Sequence, residues 1–188
     1  MTSQFWPYLA WVIAAGALGF AISAVFAGWL NLSRRLFLIP YFVLSIAFLY
    51  AFFRWSEIDL AAAFRQNWVW GVLAGVLVGA LLVRNVRSQP RSERSTGAGL
   101  ILDLLWIGLG YGIMDALLLN VMPVMAVWYA FAGIGWTAGW PGRIGVGALA
   151  LAASLLVTLF YHLGYPEFRN ARVGLVLVGN SLITLAYL

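Results

Sequence analysis

Asp115, Asn120 and His162 are the side chains in this sequence best equipped for chemistry, and each interrupts or ends a run that is otherwise apolar. A carboxylate can take a proton from water, a carboxamide can orient or donate, and an imidazole can exchange a proton or ligate a metal. An aspartate inside a membrane span costs about 3 kcal/mol on insertion scales, so its presence needs a cause. Two causes fit Asp115 equally well. It follows "GLGYG", and if a new helix starts there, a first-turn carboxylate is stabilised by free amide groups and the helix dipole. A carboxylate beside a helix break within the bilayer is also how transporters and intramembrane enzymes build sites. Asp103 lies shortly after an arginine-rich segment, where surface pairing with those arginines is the ordinary reading. His162, the only histidine, stands at a span end, where interfacial hydrogen bonding commonly accounts for such a residue. Asn180 is a neutral polar group in the last apolar run. Asp115 and His162 are the candidate metal ligands, yet a zinc site usually takes three protein ligands. With no cysteine in the chain, thiolate chemistry and disulfides are excluded.

The elements holding these residues must be membrane helices. The chain has 188 residues, 64% of them hydrophobic and 9% charged, with mean hydropathy +0.94, too apolar for a water-soluble domain. At about 20 residues per span, this predicts an all-α polytopic integral membrane bundle of six or seven transmembrane helices. The apolar runs cover residues 8–30, 36–53, 68–83, 98–136, 144–161 and 173–188. The first is too long for a cleaved signal peptide and lacks its basic start, so it reads as a retained span. Before the third, Ser56 with Asp59 three residues later resembles a capping box, predicting a short helix at the membrane surface. Within the third, Gly71, Gly75 and Gly79 share one helix face and would admit close approach of another helix. The linker "RNVRSQPRSERSTG" divides the chain into a three-helix part, residues 1–97, and a C-terminal core, residues 98–188. Residues 98–136 are long enough for two helices, with the break expected at Gly108, Gly110 and Gly112 and a second kink at Pro123.

All eleven basic residues are arginine, and they cluster at span ends. Membrane topology accounts for the net charge of +5 without any nucleic-acid partner. Arg34 and Arg35, then Arg84, Arg87, Arg91 and Arg94, mark two cytoplasmic loops and set the N-terminus outside, in the cytoplasmic (inner) membrane. If residues 98–136 cross twice, Arg143 returns to the cytoplasmic side and His162 emerges at the face where the Asp115 helix starts. If they cross once, Asp115 and His162 are expected on opposite sides.

The C-terminal half, from about residue 100 onward, resembles the CPBP family of intramembrane proteases, which includes the CAAX prenyl proteases and bacteriocin-processing proteins. That family opens one helix with Glu-Glu-x-x-x-Arg and ends the next with Phe-x-x-x-His. In "DALLLN", Asp115 matches the first Glu, Ala116 the second and Asn120 the Arg; in "TLFYHLGY", His162 matches the His and Thr158 replaces the Phe. "VLVGNSLITLAYL" resembles the glycine-rich helix that follows. The resemblance implies that Asp115 activates water, His162 serves as a metal ligand or oxyanion donor and Asn120 orients the site. Ala116 cannot replace the second carboxylate, and Asn120 carries no charge. The family's last histidine-bearing helix has no counterpart here, so zinc is expected only if such a helix follows residue 188. The apolar end of the sequence predicts a truncated chain.

Two expectations follow. One is an intramembrane hydrolase acting on hydrophobic or lipidated peptides at the bilayer, divergent or inactive in its motifs. The other is a non-enzymatic membrane protein, either a pseudoenzyme that binds a partner or a small proton-coupled transporter.

Overall fold

A computed structural model describes residues 4–87 and 96–188, apart from the side chains of Asn67, Asn85 and Val86. The linker arginines Arg91 and Arg94 lie outside the described residues. Among the described residues, six helices make an all-α bundle: α1 (Phe5–Trp29), α2 (Arg34–Ser56), α3 (Leu60–Arg87), α4 (Ala98–Ala132), α5 (Trp140–Leu163) and α6 (Arg172–Tyr187). Helices α1, α2, α4 and α5 are each long and apolar enough to cross a membrane. The bent α3 passes the same test as a pair, and α6 is a shorter apolar helix. Large apolar side chains such as Trp70, Leu77 and Leu175 are exposed on the outer faces, as expected when lipid is the solvent.

The core lies where α1, α2, α4 and α5 meet. Near one end, Phe5 packs edge-on against Phe131 and Tyr8 against Trp55. Near the other end, Ser23 Oγ donates to the Tyr161 carbonyl at 2.6 Å, and Phe37 meets Tyr165. Successive helices therefore alternate in direction, which places Arg34, Arg35, Asp103, His162 and Tyr165 towards one end and Arg143 at the other.

Residues 98–132 form a single helix, long and apolar enough for one crossing. No break occurs at "GLGYG"; Leu104–Gly110 and Ala116–Val121 form two widened π-helical turns either side of Tyr111–Asp115. Within a bilayer, backbone amides must bond inside their own segment, so the glycines' weak helix preference appears as a wider turn and not as an interruption. Gly110 lets Phe42 approach: an added Cβ would stand 3.3 Å from its ring. Pro123 does not break the helix either. It removes the N–H that would bond the Leu119 carbonyl four residues earlier, and Ser154 Oγ of α5 donates to that carbonyl at 2.7 Å.

One local expectation also changes. Asp59, not Ser56, caps α3, accepting from the Ala62 amide at 2.9 Å, while Ser56 is the last residue of α2. The capped segment Leu60–Gln66 turns 75° from Trp68–Arg84. Asp103 pairs with Arg35 of α2, through two 2.8 Å bonds from Nε and Nη2. It is thus bound to the adjacent helix, by an arginine 68 positions away in sequence. The pair is half-exposed on the arginine side, so Asp103→Asn is expected to lower the thermal unfolding temperature in detergent only slightly.

Candidate functional site

Along α4, residues 112, 115, 116, 119 and 120 recur at helical spacing and form one face. On α5, Ser154, Thr158 and His162 lie four apart on another, and on α6 residues 176, 179, 180 and 183 make a third. These faces converge, with Leu82 of α3, on a cavity of about 330 Å³. Asp115, Asn120, His162 and Asn180 all line it. The expected separation of Asp115 and His162 on a single crossing does not hold. Asp115 is not at a helix start; it sits at the midpoint of a 35-residue helix, about 26 Å along its axis at 1.5 Å per residue, level with the last turns of α5.

Asp115 is held by a phenol. Tyr41 of α2 donates to Asp115 Oδ1 at 2.5 Å, and the Tyr111 phenol, one turn earlier on α4, lies beside the same carboxyl. Tyr41 is fully buried. The Arg34 guanidinium lies 4.9 Å above the Tyr111 ring, in a cation–π contact. A first-turn carboxylate beside a helix break therefore does not account for Asp115; the buried Tyr41 hydroxyl keeps it there.

His162 uses Nδ1 against the Thr158 carbonyl at 2.9 Å. A carbonyl only accepts, so the proton resides on Nδ1 and Nε2 carries a lone pair. That tautomer suits Nε2 to accept from a water molecule, in place of the oxyanion donation expected of it. The Thr158 hydroxyl is buried and has no hydrogen-bond partner among the described residues.

Asn120 and Asn180 belong to a buried polar knot. Thr184 Oγ1 donates to Asn120 Oδ1 at 2.7 Å, and Asn180 Nδ2 donates to Ser154 Oγ at 3.1 Å. With Ser154 committed to the Leu119 carbonyl, the knot fastens α4, α5 and α6 together at the cavity wall. With its oxygen towards Thr184, Asn120 keeps its amide NH2 for the cavity it lines.

Asp115 and His162 supply two donors, and no cluster of three or more His, Cys, Asp or Glu side chains suited to a metal occurs among the described residues. The donor set does not fit catalytic zinc. Tyr41, Tyr111, Ser154 and Thr184 were not singled out from the sequence. Spacing marks Tyr111, four before Asp115, and Ser154, eight before His162; nothing local marks Tyr41, 74 positions from the carboxyl it binds. The chain matches no family model, no curated protein and no solved structure.

Proposed function

We propose that this multi-pass membrane protein hydrolyses an amide bond of hydrophobic or lipidated peptides at the Asp115–His162 cavity, in the manner of a divergent CPBP-type intramembrane protease. The observation that carries the reading is convergence. Asp115, Ala116, Asn120, Thr158 and His162, the five positions that correspond to that family's two motifs, all line one cavity. Its position in a bundle of apolar helices favours a substrate delivered from the bilayer, with the N-terminus outside and the arginine-bearing end cytoplasmic.

The chemistry runs on water. Asp115 takes a proton from a water molecule oriented by His162 Nε2, and the water oxygen attacks the amide carbon. The NH2 of Asn120 and the hydroxyl of Thr158 donate to the developing oxyanion. Asp115 then passes its proton to the departing amine as the C–N bond breaks. Ala116 leaves the site one carboxylate short of the family pattern, and a slow enzyme is expected in consequence.

A groove of about 520 Å³ between α3 and α6 adjoins the cavity, sharing Leu82 and Ile183 with it. Gly71, Gly75 and Gly79 line this groove, and a Cβ added to any of them would meet nothing within 4 Å. The glycine stripe thus borders open space, and we assign it to admission of the substrate's apolar chain. Gly75→Leu would project into the groove from a position where an added Cβ meets nothing within 4 Å. It is expected to raise KM for a long apolar peptide by about tenfold, the order of one lost apolar contact region, and to leave thermal stability unchanged or higher, since glycine is a poor helix former. The function is tested with a fluorescence-quenched apolar peptide in lipid vesicles containing the full chain. Cleavage at an amide bond supports hydrolysis, whereas saturable binding with no cleavage supports the pseudoenzyme reading.

A further inference from the structure

Three phenols join the Asp115 carboxyl to the loop between α5 and α6. Tyr165, in that loop, shares a hydrogen bond of 2.8 Å with the Tyr161 hydroxyl. Tyr161, completely buried at the end of α5, shares one of 3.0 Å with the Tyr111 hydroxyl. Tyr111 lies one helical turn before Asp115, with its phenol beside the carboxyl. Three tyrosines from two helices and a loop, linked hydroxyl to hydroxyl and ending beside a carboxylate, are not required for packing. Phenylalanine would fill the same space without the cost of burying polar oxygens.

We propose that Tyr165, Tyr161 and Tyr111 form a proton path between the aqueous edge at the α5–α6 loop and Asp115. A phenol hydroxyl both donates and accepts, so each can release its proton forward while receiving one from behind. At every oxygen one O–H bond breaks and one forms; one proton is delivered to Asp115, and no electron or co-reactant is involved. Return runs in reverse. The path does not depend on whether the cavity hydrolyses, although a hydrolytic base would use it to exchange protons with water between turnovers.

The surroundings suit this role. Burial pushes the Tyr165 phenol up to about 12, so it is neutral at physiological pH and keeps both functions. The titratable and charged groups facing Asp115 and the path are Tyr41 and Arg34 from α2, Tyr111 from its own helix, Tyr161 and His162 from α5, and Tyr165 from the loop. Among the described residues, α3 and α6 present only Leu82, Val176, Gly179, Asn180 and Ile183 to the cavity, none of which titrates. Tyr41 reaches Asp115 directly but is buried in the core, so it holds the carboxyl and offers no route outward.

The experiment needs no substrate. The full chain in lipid vesicles is exposed to protons photoreleased from a caged compound, and the Asp115 carbonyl stretch, assigned by its loss in Asp115→Asn, is followed by time-resolved infrared. Tyr161→Phe is expected to slow its change at least tenfold while leaving the final extent unaltered. Tyr165→Phe, which alters only the loop end, is expected to slow it too and serves if Tyr161→Phe fails to fold. Tyr50→Phe, at an exposed site away from the path, leaves the rate unchanged. An Asp115 band that does not respond, or that responds at the wild-type rate in both path variants, overturns the proposal, and neither result bears on peptide cleavage.

Discussion

Asp115→Asn is expected to reduce peptide cleavage by roughly 10²- to 10⁴-fold, the usual contribution of a positioned general base. Asparagine has nearly the shape of aspartate, and its carbonyl oxygen can still accept from Tyr41, so the buried phenol keeps its partner. The fold should therefore survive, which circular dichroism and thermal unfolding would report. What is lost is the basic carboxylate that takes the proton from water. Asp115→Ala is a poorer test: it strips Tyr41 of its acceptor and leaves a buried hydroxyl unsatisfied, at about 1–3 kcal/mol. A loss of cleavage in Asp115→Ala accompanied by unfolding would say nothing about catalysis. Unchanged turnover in a folded Asp115→Asn protein would remove Asp115 from the reaction.

Gly164→Ala is expected to be among the most damaging single added methyls in the described residues. Gly164 follows α5, has ordinary right-handed helical dihedrals and needs no conformational freedom. Its requirement is space. An added Cβ would overlap Ser23 Oγ and stand 2.7 Å from the Ala24 amide nitrogen and 2.8 Å from the Phe20 carbonyl oxygen. Two of these three are backbone atoms of α1, so the helices must separate. Ser23 lies at the start of the π-helical turn Ser23–Trp29 and donates to both Gly19 and Tyr161, which ties α1 to α5 where they touch most closely. Overpacking at such a site costs about 1–3 kcal/mol or more. Thermal unfolding should show a fall of several degrees, and because Tyr161 and His162 lie within three residues of Gly164, cleavage should fall with it. Gly145→Ala, where an added Cβ meets nothing within 4 Å, should have no such effect.

The apolar runs read from the sequence agree with the helices to within a few residues, because lipid-facing helices write their length directly in composition. What composition hides is what happens inside a run. The glycines of "GLGYG" are weak helix formers in water, and by that measure residues 98–136 divide in two. In a bilayer the backbone has no alternative partner, and the chain continues through Gly108 and Gly110 with a widened turn. Pro123 is similar: its cost is met by Ser154, 31 positions downstream, a compensation no local window reveals. Asp103 is expected at the surface beside arginines, and it pairs with Arg35 of the adjacent helix α2 at the same end of the bundle; the linker arginines Arg91 and Arg94 lie outside the described residues.

The site was half legible. Asp115, Asn120 and His162 were identifiable because polar groups in lipid need a reason, and all three line one cavity. Their supports were not. Tyr41, Thr184 and Ser154 are unremarkable residue types whose role exists only through contacts across helices, and only the i, i+4 positions on α5 hinted that Ser154, Thr158 and His162 share a face.

The most direct test of a shared Asp115–His162 site is a double-mutant cycle on cleavage of the quenched apolar peptide in vesicles, comparing Asp115→Asn, His162→Gln and the two combined. Groups acting on one water molecule are non-additive: once either is lost, the other has little left to do. The double variant should therefore be no slower than about threefold below the worse single variant, within the usual scatter of such cycles. Losses that multiply in full, or a His162→Gln protein as fast as wild type, would contradict a site in which the two residues act together.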